Sequence, residues 1–76
     1  MEPVNACANF EGRAALLVNE LTGIKGQMQT ACSQNQSGQE CLDLTQQHEG
    51  ALLRYRMLLN ETPGACRSNL RDPLSL

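Results

Sequence analysis

The chain has 76 residues, a formal net charge of −2 at pH 7, four cysteines, one Phe, one Tyr and no Trp. A chain of this length buries only about 60% of its unfolded surface, so its core alone gives marginal stability, and the cysteines predict disulfides in an oxidising compartment. The small negative charge gives no electrostatic basis for a nucleic-acid partner, and no apolar run approaches the ~18 residues of a membrane span.

The first half of the chain predicts one long helix. Leu and Ala dominate its apolar residues, and two apolar series recur every seven positions, as in a helix that packs along one seam against another helix. The series are Cys7, Ala14, Leu21, Met28 and Phe10, Leu17, Ile24, Ala31. We expect a helix over about residues 5–32, which begins near Pro3 or has Asn5 as its N-cap.

Three glycines, Gly12, Gly23 and Gly26, lie inside this helix. Each costs about 1 kcal/mol relative to Ala in a helix interior, so residues 22–26 can bend or break it. The same glycines can instead let the two helices approach closely, or offer a smooth backbone surface to a partner. The sequence leaves these alternatives open.

A polar turn over residues 33–38 precedes a second helix, predicted over about residues 39–61. Ser37 and Glu40 have the spacing of a capping box, and Pro63 ends the helix near Glu61. Its seam consists of Cys41, Thr45, His48, Leu52, Tyr55, Leu59 and Thr62, widened by Leu44, Ala51 and Leu58. Thr62 and Pro63 can either follow the end of this helix as a turn or start one more short helical turn with Cys66, and a frayed tail is expected over residues 71–76.

The four cysteines predict their own pairing. Cys7 with Cys66, and Cys32 with Cys41, are each centred between residues 36 and 37. Cys7 and Cys32 lie 25 residues apart, as do Cys41 and Cys66. A helical interval of that length spans about 37 Å, whereas a disulfide needs Cα atoms within about 7 Å. Pairing along one helix and crossed pairing are excluded, which leaves Cys7–Cys66 and Cys32–Cys41.

These features predict an all-α fold: one domain over residues 1–76, an antiparallel two-helix hairpin stapled at both ends by two disulfides. In layout it resembles the twin-cysteine helical hairpin proteins of the mitochondrial intermembrane space, which also staple two antiparallel helices at both ends. Their cysteines lie at much shorter intervals than here, so the resemblance implies no function for this chain.

The residues that carry chemistry do not form a predicted catalytic or metal site. Structural zinc sites use cysteines in close pairs, and these cysteines fall at opposite ends of the hairpin. His48 is the only histidine, and we interpret it as a polar seam residue that fixes the helix register. We therefore expect no enzyme activity, no cofactor and no metal.

The surface is more informative, because Leu16, Val18, Leu42, Leu53 and Met57 fall off the predicted seam. A hairpin has one internal interface, so these side chains would face water unless two hairpins paired as a four-helix bundle. We expect a homodimer, and Leu16, Leu53 and Met57 as one contact patch. The arginines around Tyr55 form either a solvated face or a second contact patch, in which case Arg54, Tyr55 and Arg56 are partner-binding residues.

We therefore expect a small exported protein-binding module, periplasmic or secreted, of the adaptor, inhibitor, immunity or secretion-assembly type. Residues 1–5 lack the features of a secretory leader. They fit a mature exported protein whose leader was replaced, or import into the mitochondrial intermembrane space. Alternative functions are a structural subunit of a larger helical assembly and a carrier of a small apolar ligand.

Overall fold

The computed structural model describes residues 7–76, and that part of the chain is helical, without strands. Helix α1 spans Ala8–Gln34 and packs against helix α2, Gln39–Glu61. A short helix, α3, spans Gly64–Arg67, and a 3₁₀ turn spans Pro73–Ser75. The predicted all-α hairpin with a further short helical turn is confirmed.

Both predicted disulfides are present. Cys7 and Cys66 join the open end of the hairpin with their Cα atoms 5.3 Å apart, and Cys32 and Cys41 close the turn at 4.8 Å. The closed loops, with sequence separations of 59 and 9 residues, correspond to about 4 and about 2.7 kcal/mol of lost chain entropy in the unfolded state. The two values do not add fully, because the inner bond shortens the outer loop.

The seam of α1 follows the sequence pattern, since Ala14, Leu21 and Ala31 are buried and the other predicted positions are half-buried. On α2 the centre of the seam differs from the prediction. Ala51 and Leu58, predicted to widen the stripe, lie at its centre, and Leu52 is only half-buried at its edge.

Helix α1 is continuous, so residues 22–26 do not break it. A Cβ atom added at Gly12, Gly23 or Gly26 would meet nothing within 4 Å, so the glycines do not serve close approach of the two helices in one hairpin. The predicted helix starts at Pro3 or Asn5 lie outside the described residues.

The capping box predicted at Ser37 and Glu40 is wrong. The N-cap of α2 is Gly38, and no side chain caps this end. Instead, the backbone N–H of Ser37 donates to Asn35 Oδ1 at 3.3 Å, an Asx turn that directs the chain into the helix one residue later. A Cβ on Gly38 would lie 3.0 Å from Asn35 Nδ2, so this close approach favours glycine.

The predicted frayed tail is also wrong, because residues 68–76, the C-terminal strap, fold back along the hairpin. Leu76 is buried and Leu70 is half-buried against the core. The Tyr55 hydroxyl donates to the Arg71 carbonyl at 2.7 Å, and His48 Nε2 lies 3.0 Å from the carbonyl oxygen of Leu76. Although the strap has no helical periodicity, the staple at Cys66 holds its start beside the core.

Candidate interaction surface

Two ion pairs cross between the helices on one side of the hairpin. Arg13 pairs with Glu61 at 3.5 Å, and Arg54 pairs with Glu20 at 2.8 Å. Their side chains are 41–57% exposed, so the charges remain accessible to a second molecule. We call this surface, defined by these four residues, the ion-pair face.

The middle of the ion-pair face is apolar. A shallow groove between the two helices is lined by Leu17, Met57 and Leu58 together with Arg13, Arg54 and Glu61. Met57 is 54% exposed and Leu16 is 71% exposed. Leu16 lies three residues after Arg13 and four before Glu20, which places it on the same side of α1.

Leu53 lies at the edge of this surface. It is 58% exposed and precedes Met57 by one helical turn. Leu53 is two residues from both Ala51 and Tyr55, and two residues correspond to a rotation of about 200° around the helix axis. Because Ala51 and Tyr55 face the buried seam, Leu53 points outward. A single patch of Leu16, Leu53 and Met57 thus remains a prediction; Met57 lines the groove, and Leu16 lies on the same side of α1. Val18, predicted to be surplus, is half-buried against the core.

The predicted contact patch around Tyr55 does not exist as an exposed surface, because Tyr55 has 0% exposure. Consecutive helical residues point about 100° apart, so Arg54 and Arg56 emerge on opposite flanks of the inward-facing ring. Arg54 belongs to the ion-pair face. Arg67, the last residue of α3, donates to the carbonyl oxygen of Thr62 at 3.1 Å. The arginines therefore do not form one cluster.

Burial of Tyr55 raises the pKa of its phenol above the ordinary value of 10.0. Loss of solvation disfavours the phenolate, and the donated hydrogen bond to the Arg71 carbonyl requires the protonated form. This side chain thus holds the strap as a neutral donor and is not available to a partner.

A second hollow lies between α1 and the C-terminal strap. Its floor contains Ala14, Val18, Tyr55 and Leu70, its rim is polar, and its volume of about 330 Å³ is at the lower end for ligand sites. The hydrogen bond from Asn69 to Glu11, at 3.0 Å, crosses between the strap and α1 at this place. This hollow is the candidate location for an apolar ligand.

Within residues 7–76, no group of three or more His, Cys, Asp and Glu side chains is arranged to hold a metal ion. All four cysteines are in disulfides. In the same part of the chain, no helix is long and apolar enough to cross a membrane.

The sequence prediction missed three residues of the ion-pair face, Arg13, Glu20 and Glu61. A signal for them exists. Arg13 and Glu20 are seven residues apart, and so are Arg54 and Glu61. The midpoint in sequence of each cross-helix pair lies within one residue of the midpoint that the two cysteine pairs share.

Comparison of the chain with models of protein families, with curated proteins and with solved structures gives no match.

Proposed function

We propose that the protein is a small, exported, non-catalytic protein-binding module of the adaptor, inhibitor, immunity or secretion-assembly type, and that it binds its partner through the ion-pair face. One observation carries the proposal: Leu16 and Met57 are more than half exposed on a surface that also presents four half-exposed charges. An apolar centre with a polar rim is the usual anatomy of a protein–protein interface.

The scaffold supports this role. Disulfides at both ends of the hairpin restrict the helices before any partner arrives. A restricted surface loses less conformational freedom on binding than a flexible one, which favours affinity from a small interface. Two disulfides are compatible with an oxidising compartment, so we place the protein in the periplasm or outside the cell.

Site-specific photo-crosslinking in the native extract tests the proposal. A photoreactive amino acid is placed at Leu16 or Met57, with Arg56 on the opposite flank of α2 as the matched control position. We expect crosslinks to protein at the first two positions and markedly fewer at position 56. Equal labelling at all three positions, or labelling of lipid alone, would contradict a protein-binding role for this face.

A further inference from the structure

The four charges of the ion-pair face form an alternating square. Arg13 and Glu61 face each other at one level, and Glu20 and Arg54 face each other at a second level. The levels are two helical turns apart, which is about 10 Å. The sign of the charge therefore changes along each helix and also across the groove.

A face with this pattern is complementary to itself. Suppose a second copy is turned about a two-fold axis that lies in the interface, parallel to the helices. Helix α1 of one copy then lies over α2 of the other, so Arg13 meets Glu61 of the second copy and Glu20 meets Arg54 of the second copy. No charge of the square meets its own sign.

The same rotation joins the apolar parts of the two faces. Met57 of each copy lies over the level of Leu16 and Leu17 of the other, so the contact is made twice, as an isologous interface requires. Gly23 and Gly50 continue the face toward the turn, since they lie at helical spacing from Glu20 and Arg54. Nothing among residues 7–76 lies within 4 Å of a Cβ built at either glycine, so no side chain of that part of the chain fills this section of the face.

The other side of the hairpin is occupied by the C-terminal strap. Strap residues line hollows together with Val18, Thr22 and Lys25 of α1, and none of these residues borders the groove of the ion-pair face. The bond between Tyr55 and Arg71 holds the strap in place there. A second hairpin that approaches the ion-pair face can therefore contact both helices. One that approaches the opposite side contacts the strap first.

The face is large enough for a reversible dimer. Helix α2 is about 35 Å long at 1.5 Å per residue, and the molecule is 17 Å across. The projected face is thus on the order of 600 Å² per copy, somewhat below the ~800 Å² per partner of a standard interface. We propose that the partner bound by the ion-pair face is a second copy of this chain, in a two-fold four-helix bundle. This inference rests on the proposed function, because it names the occupant of the same surface.

Charge reversal in trans tests the proposal. Sedimentation equilibrium is measured for the wild-type chain, for Glu20→Arg, for Arg54→Glu and for an equimolar mixture of the two variants. The wild-type chain is expected to form a dimer at micromolar concentration. Each variant alone places like charges against each other and should weaken the dimer by about tenfold or more. In the mixture, one variant carries two carboxylates at this level and the other two guanidiniums, so association should return to the wild-type affinity or better.

Arg56→Glu is the matched control, since it reverses an arginine on the opposite flank of α2 and should leave dimerisation unchanged. Far-ultraviolet circular dichroism should show the same helicity for all variants, because the disulfides hold the hairpin. A monomeric wild-type chain, or a mixture that associates no more tightly than either variant alone, would overturn the proposal. Crosslinks from Met57 to a different protein would then leave the binding function standing without the dimer.

Discussion

Tyr55 donates its hydroxyl hydrogen bond to the carbonyl oxygen of Arg71 at 2.7 Å, from a side chain with no exposed surface. The bond connects the middle of α2 to the strap, sixteen residues further along the chain. Because the strap begins just after Cys66, the Cys7–Cys66 disulfide and the partly buried hydrogen bond to Arg71 hold it at two points. The strap therefore packs against the core through Leu70 and Leu76 and covers one side of the hairpin. The opposite side, the ion-pair face, is left exposed to solvent.

Replacing Tyr55 by Phe should destabilise the protein by about 1 kcal/mol, because the ring stays buried and only the hydrogen bond is lost. Amide hydrogen exchange should accelerate most in residues 68–76. Leu74→Ala is the control, since Leu74 is 86% exposed and its loss should change stability by less than about 0.5 kcal/mol. A Tyr55→Phe variant as stable as wild type, with unchanged exchange in the strap, would show that the bond contributes nothing.

Alkaline pH should weaken the fold through the same residue. The pKa of Tyr55 is raised above 10.0 in the folded state, so folding favours the protonated phenol. The associated stability is fully present below pH 10 and is lost as the pH rises through the folded-state pKa. The chain has one Tyr and no Trp, so tyrosinate absorbance reports this group alone. The native titration midpoint should exceed that in denaturant, and Tyr55→Phe should reduce the decline in stability. A native midpoint at or below 10.0 would contradict the burial.

Truncation of a leucine to alanine should lower the free energy of unfolding more at the centre of the seam than at its edge. Leu58→Ala, like Leu21→Ala, should cost about 2–5 kcal/mol, because both side chains are almost fully buried. Leu52→Ala should cost at most about 2 kcal/mol, since Leu52 is half-buried. Denaturant unfolding with the disulfides intact measures all three. A cost for Leu52→Ala that equals or exceeds that of Leu58→Ala would contradict a seam centred on Ala51 and Leu58.

Replacing glycine by alanine should stabilise the protein inside α1 and destabilise it at the N-cap of α2. Gly12→Ala and Gly26→Ala should each stabilise the protein by about 1 kcal/mol, because both lie in α1 with open space around the added methyl group. Gly38→Ala should destabilise it by about 1 kcal/mol, since Ala is a poor N-cap and its Cβ would press on the Asn35 side chain. Thermal unfolding of the three variants provides the comparison. Stabilisation by Gly38→Ala would show that the turn relaxes freely.

The α1 seam was predictable because α1 has one main packing partner, and a helix with one partner shows its apolar residues at regular spacing. The α2 seam was less predictable from the apolar spacing, because α2 packs against both α1 and the strap. Leu52 and Leu58 both fit the heptad pattern. Leu58 lies within about 20° of the fully buried Ala51 around the helix, whereas Leu52 lies about 100° from it, at the edge of the seam.

The candidate surface was predicted only in part. Exposed Leu16 and Met57 followed from their position off the seam. Tyr55 was predicted both as a seam residue and, from its residue type, as part of a contact patch; it lies about 40° from the buried Ala51 around the helix, and only the seam prediction agrees with its burial. Arg13, Glu20 and Glu61 were not predicted, because charged residues beside an apolar seam are typical of any solvated helix face, and only their reflection about the cysteine centre distinguishes them.

The register of the two helices, and with it the ion-pair face, depends on both disulfides. Non-reducing peptide mapping tests them directly. After trypsin, the peptide of residues 1–13 should remain bound to that of residues 57–67 through Cys7 and Cys66. Further cleavage after Glu40 should leave the two halves of the peptide of residues 26–54 joined through Cys32 and Cys41. A main native species in which residues 1–13 are bound to residues 26–54 would contradict the double-stapled hairpin.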